Sequence, residues 1–301
     1  MIYDCFLFNN ELEILDIRLH ELDSVVDKFV LVESTVTHSG KPKELFFKKN
    51  KDLFKIYKNK ILHIIIKDTP KVTLPWIIND YQFSQLKRGL IKCTPNDIII
   101  FGDVDEIPKA EKILEWKNKP GQLKVFKQVL SYYYLNYIDK DEEWYGTRMT
   151  LFRHIQSYPT MWIAKYSIPD IKIQNGGWHF SYIGGVKRIQ HKLDAMTHQE
   201  INVDKYNSKE HILKEIARGQ YFAGTGRKLT ISSSETLPQY INENLDHFTS
   251  LLVPKTSFLQ KILQVYFPYL TLKKTVVLLT RKSRIKLGKL RRKIQYGILS
   301  Q

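Results

Sequence analysis

Cysteine is scarce in this 301-residue chain, which has only Cys5 and Cys93. Each sits inside an apolar segment, IYDCFLF and GLIKCTP, so the pattern argues against a disulfide framework and for a reducing compartment. Long apolar runs are missing too: none approaches the roughly 20 residues of a bilayer-spanning helix, and no opening stretch combines a basic end, an apolar block and a small-residue cleavage site. The expected location is therefore the cytoplasm. Acids are absent from residues 255–301, which hold twelve of the chain's 47 Lys and Arg residues and none of its 31 Asp and Glu residues. The net charge of +16 is thus concentrated in a tail, and the remaining 35 cations against 31 anions are nearly balanced. That balance, with no recognisable RNA or DNA module, argues against a specific nucleic-acid partner. No internal repeat or low-complexity tract interrupts the rest. At 43% hydrophobic residues the chain can bury a full core. One domain over residues 1–250 and a basic tail over 251–301 are expected.

The first third alternates apolar runs with helical patterns. IYDCFLF reads as a strand; Leu12, Leu15, Leu19 and Leu22 share one face of a helix; KFVLVES returns as a strand. The cycle repeats with KILHIII, a helix from Trp76 to Ile91 with Pro75 suited to its first turn, and DIIIFG. Strands separated by helices imply parallel pairing through right-handed crossovers, hence an open, mostly parallel α/β sheet that binds ligands at the carboxyl ends of its strands. After Pro108 the pattern becomes aromatic: strands are expected at QLKVFKQVLSYYYLNYI, GTRMTLF and GGWHFSYIGG, with a loop at DKDEE. Helices are expected near residues 185–195 and 207–218, and at LPQYINEN.

One strand end stands out. DIIIFGDVDEIP runs from a buried strand straight into Asp103, Asp105 and Glu106, and crowded carboxylates repel and raise one another's pKa. A positive partner is called for: a metal ion, a basic residue from elsewhere in the fold, or else plain solvent. Paired aspartates suit magnesium or manganese. Short acidic pairs are also common in surface turns, but the apolar run before this one and its place after several βα units put it in the ligand crevice.

Three segments in order and spacing, IYDCFLFNNELEILDIRLHELDSVVDKFVLVESTVTHSGKPKEL, FGDVDEIP and GGWHFSYIGGVKRIQHKLDAMTHQEIN, resemble the glycosyltransferase family of the bisecting β-1,4-mannosyl-glycoprotein N-acetylglucosaminyltransferases. The resemblance spans roughly residues 1–245 and excludes the tail. It implies a GT-A-like nucleotide-sugar fold, an inverting transfer and a UDP-GlcNAc-like donor. Asp103 and Asp105 match the family's Asp-x-Asp and would face a manganese or magnesium ion and the diphosphate, with Glu106 orienting them. His179, in GGWHFS, matches the family's Gly-Trp-His and would complete the metal shell. Where the family has an arginine after Tyr-Gln, this chain has Phe83 after Tyr81 and Gln82, and Lys87 and Arg88 one turn on are the substitutes or else an ordinary solvated face. Asn9, Asn10 and Glu33 end the first two strands, where a uridine and its ribose would sit, although Asn10 also suits a helix N-cap. Tyr132, Tyr133, Tyr134, Tyr137, Trp144 and Trp178 supply aromatic faces for sugars or for the core. Among the carboxylates near the site, Asp194, Glu200 and residues 139–143, Glu200 is the expected base for the acceptor hydroxyl.

The tail alternates Leu, Ile and Tyr with Lys and Arg at helical spacing, a pattern that binds anionic lipid surfaces at about 1 kcal/mol per cation. A helix docked on the core, or nonspecific nucleic-acid binding, is the alternative. The expected function is thus a metal-dependent transfer of sugar, GlcNAc first among candidates, from a UDP donor to an oligosaccharide or lipid-linked glycan at a cytosolic membrane face. Two rivals remain. A metal-dependent nucleotidyltransferase would release pyrophosphate instead of UDP, and a non-catalytic basic membrane- or nucleic-acid-binding protein would release neither.

Overall fold

The apolar runs become strands and the amphipathic stretches become their crossovers. In the computed structural model, which describes residues 1–224 and 226–253, the first strands are β1 (Ile2–Phe8), β2 (Lys28–Ser34), β3 (Ile61–Ile66) and β4 (Ile98–Asp103). They pair in parallel in the order β3-β2-β1-β4. Every residue of β1 is buried, because the strand has a neighbour on each edge and helices on each face. Alternation divides its side chains: Phe6 and Phe8 pack with Leu15 and Leu19 of helix Leu12–Leu22, while Cys5 and Leu7 join the cluster holding Phe83 of helix Pro75–Ser84. The chain steps from β1 outward to β2 and β3, then returns to place β4 on β1's other edge. This reversal opens a crevice beyond the carboxyl ends of β1 and β4.

The later strands correct the expectation of a mostly parallel sheet. They are β5 (Glu106–Pro108), β6 (Leu123–Tyr132), β7 (Tyr137–Leu151), β8 (Ile171–Ser181) and β9 (Leu229–Ile231). β7 runs antiparallel to β4 and β6, β8 is parallel to β6, and β5 is antiparallel to β8, so the sheet is open and mixed. The aromatic stretch expected as one strand breaks at Tyr133, whose φ of 68° turns β6 back into β7. DKDEE is not a loop; it lies within β7, where the Asp139 carboxylate accepts the N–H groups of Asp141 and Glu142. The helices at 185–195 and 207–218 appear as Val186–Ala195 and Lys209–Arg218. The helix expected over 76–91 ends early, giving way to a 3₁₀ turn over Gln85–Gly89. Beyond Val253 the basic tail lies outside the described residues.

Glu21, near the end of the first helix, gives a testable consequence of this packing. Burial pushes its carboxyl up from 4.5 to about 6, against the opposing N–H of Ala110 and the Lys109 charge. Folded Glu21 holds its proton more tightly than the unfolded chain does, so stability falls as pH rises from about 4.5 through 6. Glu21→Gln is therefore expected to stabilise the protein at pH 7 by about 2 kcal/mol, with the gain gone by about pH 4. Thermal melts at the two pH values check this; an equal gain at both would remove the titration argument.

Candidate active site

The acidic turn between β4 and β5 is built by backbone capture. Arg18, fully buried on helix Leu12–Leu22, forms a two-pronged ion pair with Asp4 of β1 at 2.6 and 2.8 Å. Its remaining amino group donates to the carbonyls of Asp103, Val104 and Glu106 at 3.0, 3.3 and 2.7 Å. Glu106 points back beneath the turn. Its carboxylate accepts the N–H of Asp103 at 3.0 Å and the indole N–H of Trp144 at 3.2 Å. Gly102 is required here, since a Cβ would lie 2.8 Å from Glu106 Oε2 and 3.0 Å from Thr147 Oγ1.

The positive partners of the turn come from distant helices. Lys165, on helix Met161–Tyr166 and 4% exposed, places its ammonium 2.5 Å from Asp103 Oδ2 and 3.1 Å from Glu106 Oε2. Lys192, on helix Val186–Ala195, lies 2.5 Å from Asp105 Oδ2. His179 of β8 approaches the other Asp105 oxygen at 3.6 Å, lies with its ring tilted 39° to that of Trp144 at 4.4 Å, and leaves its buried Nδ1 without a hydrogen-bond partner. Burial alone would raise the Asp105 pKa, but Lys192 and His179 outweigh it and hold the carboxyl far below the usual range. Burial likewise works against the charge on Lys165, and Asp103 and Glu106 overcome it and raise its pKa. The six groups thus form two adjoining sets, Lys165 with Asp103 and Glu106, and Asp105 with Lys192 and His179. Among the described residues no three His, Cys, Asp or Glu side chains are gathered as a metal shell.

This network forms one end of a cleft of about 270 Å³ at the β1–β4 crevice. Asn9, Asp103, Asp105, His179 and Lys192 line it. Asn9 brings a buried side-chain oxygen that has no partner. Burial pushes the His38 imidazole, also on the wall, down to about 4, so it is neutral at pH 7. Other expected contacts lie elsewhere. Asn10 meets His191 at 3.0 Å and caps no helix with its side chain. Glu33 is wholly buried, and its oxygens are taken by the N–H groups of Phe47 and Lys48 and by His63. Arg88 pairs with Asp68 and Lys87 reaches only the Tyr158 carbonyl, so neither lines the cleft. Glu200 is outside it as well, 63% exposed, with its carboxylate on His198, which does line it. Tyr132, Tyr133, Tyr137 and Trp178 are core residues, and Trp144 alone of the expected aromatics faces the cleft.

Lys165, Lys192 and Arg18 were not singled out from the sequence. Lys165 had a signal, a lone cation in the otherwise apolar MWIAKY, whereas Arg18 stands among Glu13, Asp16, His20 and Glu21 in LEILDIRLHEL. Both read locally as solvated helix positions, whereas burial reveals them as counter-charges.

A family model described as glycosyltransferase family 17 matches residues 1–256. The chain belongs to glycosyltransferase family 17. Within that family it is similar to proteins from Rattus norvegicus and Homo sapiens, both named beta-1,4-mannosyl-glycoprotein 4-beta-N-acetylglucosaminyltransferase. Each is 26% identical over 287 aligned positions, which cover 81% of this chain and 53% of the relative. The chain thus spans about half the length of these relatives. Among solved structures it is similar to a 2-C-methyl-D-erythritol 4-phosphate cytidylyltransferase from Francisella tularensis, with a TM-score of 0.33 and 10% identity over 57% of this chain and 89% of that one.

Proposed function

We propose that the chain is an inverting glycosyltransferase with a GT-A-type fold that moves a sugar, GlcNAc from UDP-GlcNAc first among donors, to a hydroxyl of a glycan acceptor. The observation that carries this reading is the lysine-braced acidic turn at the β1–β4 crevice, on a chain of glycosyltransferase family 17. A diphosphate leaving the sugar gains negative charge, and Lys192 on the cleft wall is a cation placed to offset it. Asn9, with its unpartnered oxygen, is suited to accept an N–H from the base of the nucleotide. Asp103, Asp105 and His179 are the residues that would hold manganese or magnesium, since two carboxylates and an imidazole are suitable donor types, but Lys165 and Lys192, each now 2.5 Å from an aspartate oxygen, would have to give way to the ion. When bound, the ion would neutralise the diphosphate.

An oligosaccharide acceptor is supported by the names of the relatives, which specify a β-1,4-mannosyl glycoprotein, and a lipid-linked glycan is proposed beside it. The basic residues beyond 254 supply the proposed contact with anionic membrane on the cytosolic face. UDP release from a panel of UDP-sugars, measured with manganese, magnesium or chelator, tests the whole reading. The largest release is expected from UDP-GlcNAc with manganese. Folded protein that releases no UDP from any donor would sink the proposal, and pyrophosphate release from nucleoside triphosphates would point to nucleotidyl transfer.

A further inference from the structure

The cleft has a second wall that the donor chemistry does not use. Trp76, at the start of helix Pro75–Ser84, and Trp162 and Tyr166, on helix Met161–Tyr166, line it together with His198. Their rings adjoin at a tilt of 53° in each pair, with centroids 6.0 Å apart between Trp76 and Trp162 and 4.3 Å between Trp162 and Tyr166. Trp76 is 44% exposed and Tyr166 61% exposed. Rings of this size normally bury most of their area. His198 abuts Trp76 edge-on at 4.8 Å, and its Nδ1 lies 2.5 Å from Glu200 Oε1.

The segment carrying His198 and Glu200 is fastened. The Gln199 side chain donates to the carbonyls of Leu193 and Met196 at 3.0 and 2.7 Å, and Asn202 donates to Asp194 and Gln199 at 3.0 and 3.1 Å. The imidazole is therefore held from below by a carboxylate and from the side by an indole. With Nδ1–H donating to Glu200, Nε2 carries a lone pair.

Building on the glycosyltransferase reading, we infer that the Trp76–Trp162–Tyr166 wall is the acceptor-sugar subsite and that His198, oriented by Glu200, takes the proton of the attacking hydroxyl. Aromatic faces suit the C–H faces of a hexose ring, and a ring seated on Trp76 presents its hydroxyls toward the adjoining His198. As the acceptor oxygen bonds to C1 of the donor sugar, the C1–O bond to the diphosphate breaks and the nucleoside diphosphate departs with the electron pair. The hydroxyl proton passes to His198 Nε2, and the resulting imidazolium is stabilised by Glu200 until it loses the proton to solvent. Glu200 is thus a positioning residue.

The test uses the full chain, UDP-GlcNAc and para-nitrophenyl β-mannoside as acceptor probe, with UDP binding measured separately by calorimetry. His198→Ala is expected to lower kcat on the order of 10²- to 10³-fold with the donor KM within about twofold, and added imidazole to restore part of the rate. Glu200→Gln should lower kcat about tenfold with both KM values unchanged. Trp76→Ala should raise the mannoside KM about tenfold, Trp76→Phe less, and mannoside should quench tryptophan fluorescence in the wild type but much less in Trp76→Phe. A wild-type kcat in His198→Ala overturns the base assignment. A Trp76→Ala defect confined to the donor KM, or a wild type that binds UDP but shows no Trp76-dependent response to mannoside, overturns the acceptor wall. Failure of the wild type to bind UDP or release it from any donor instead overturns the glycosyltransferase reading on which the inference stands.

Discussion

Asp105→Asn is expected to lose UDP release by on the order of 10³-fold while keeping its fold. Asp105 is buried in the cleft wall, and its two oxygens face Lys192 and His179, not the apolar core. The amide keeps the shape and removes the charge. Lys192 then loses its partner, but its side chain is 27% exposed, so water can take over part of that role and the variant stays folded, though less stable than the wild type. The acid limb of the stability curve gives an independent check. The folded pKa of Asp105 is depressed, so its contribution is present above the unfolded value near 3.8 and is lost as pH falls toward the folded value. Asp105→Asn should flatten that limb below about pH 4. Turnover near the wild-type rate in a folded variant would remove Asp105 from the chemistry.

Arg18→Met should have the largest effect on stability, about 3–5 kcal/mol, because it leaves the Asp4 carboxylate buried and uncompensated. The same change strips a donor from the carbonyls of Asp103, Val104 and Glu106. Adding Asp4→Leu removes the stranded charge, and the double variant should regain much of the stability. It should not regain activity, since nothing then fixes the backbone of the acidic turn. Urea unfolding and UDP release, measured on the same three proteins, separate the two roles. Full recovery of both in the double variant would show that Arg18 serves the core alone.

The legible part of the fold was the part with strong local periodicity. The runs of β1, β2 and β4 and the leucine face of the first helix carry their assignment in spacing, since a strand buried on both faces tolerates few polar residues. Asp4 and Arg18 broke that pattern, and their meaning needed the pair to be seen together. The aromatic stretch around Tyr133 misled because Tyr favours strands wherever it stands, and only the left-handed φ at that residue marks the turn.

In the site, Asp103 and Asp105 stand out because they follow an apolar strand, and His179 enters only through the family resemblance; all three lie on the cleft. Glu33 was expected from its strand end, Lys87 and Arg88 from a helical turn and Glu200 from its nearness to His179, and none of these tells where a side chain points. Glu33 ends its strand as expected, but two backbone N–H groups and His63 absorb its charge.

By itself the sequence determined the strands and the first helix of the opening third, that an acidic turn closes a buried strand, and that the basicity is gathered in the tail. These are local properties, set by periodicity and by the identity of neighbouring residues. Only the tertiary structure decided what neutralises the acidic turn. Lys165 and Lys192 lie 62 and 87 positions from the aspartates they pair with. A charge of this kind selects its partner by distance through space, which topology sets: β4 returns beside β1, and the later helices carry their lysines to the same end of the sheet.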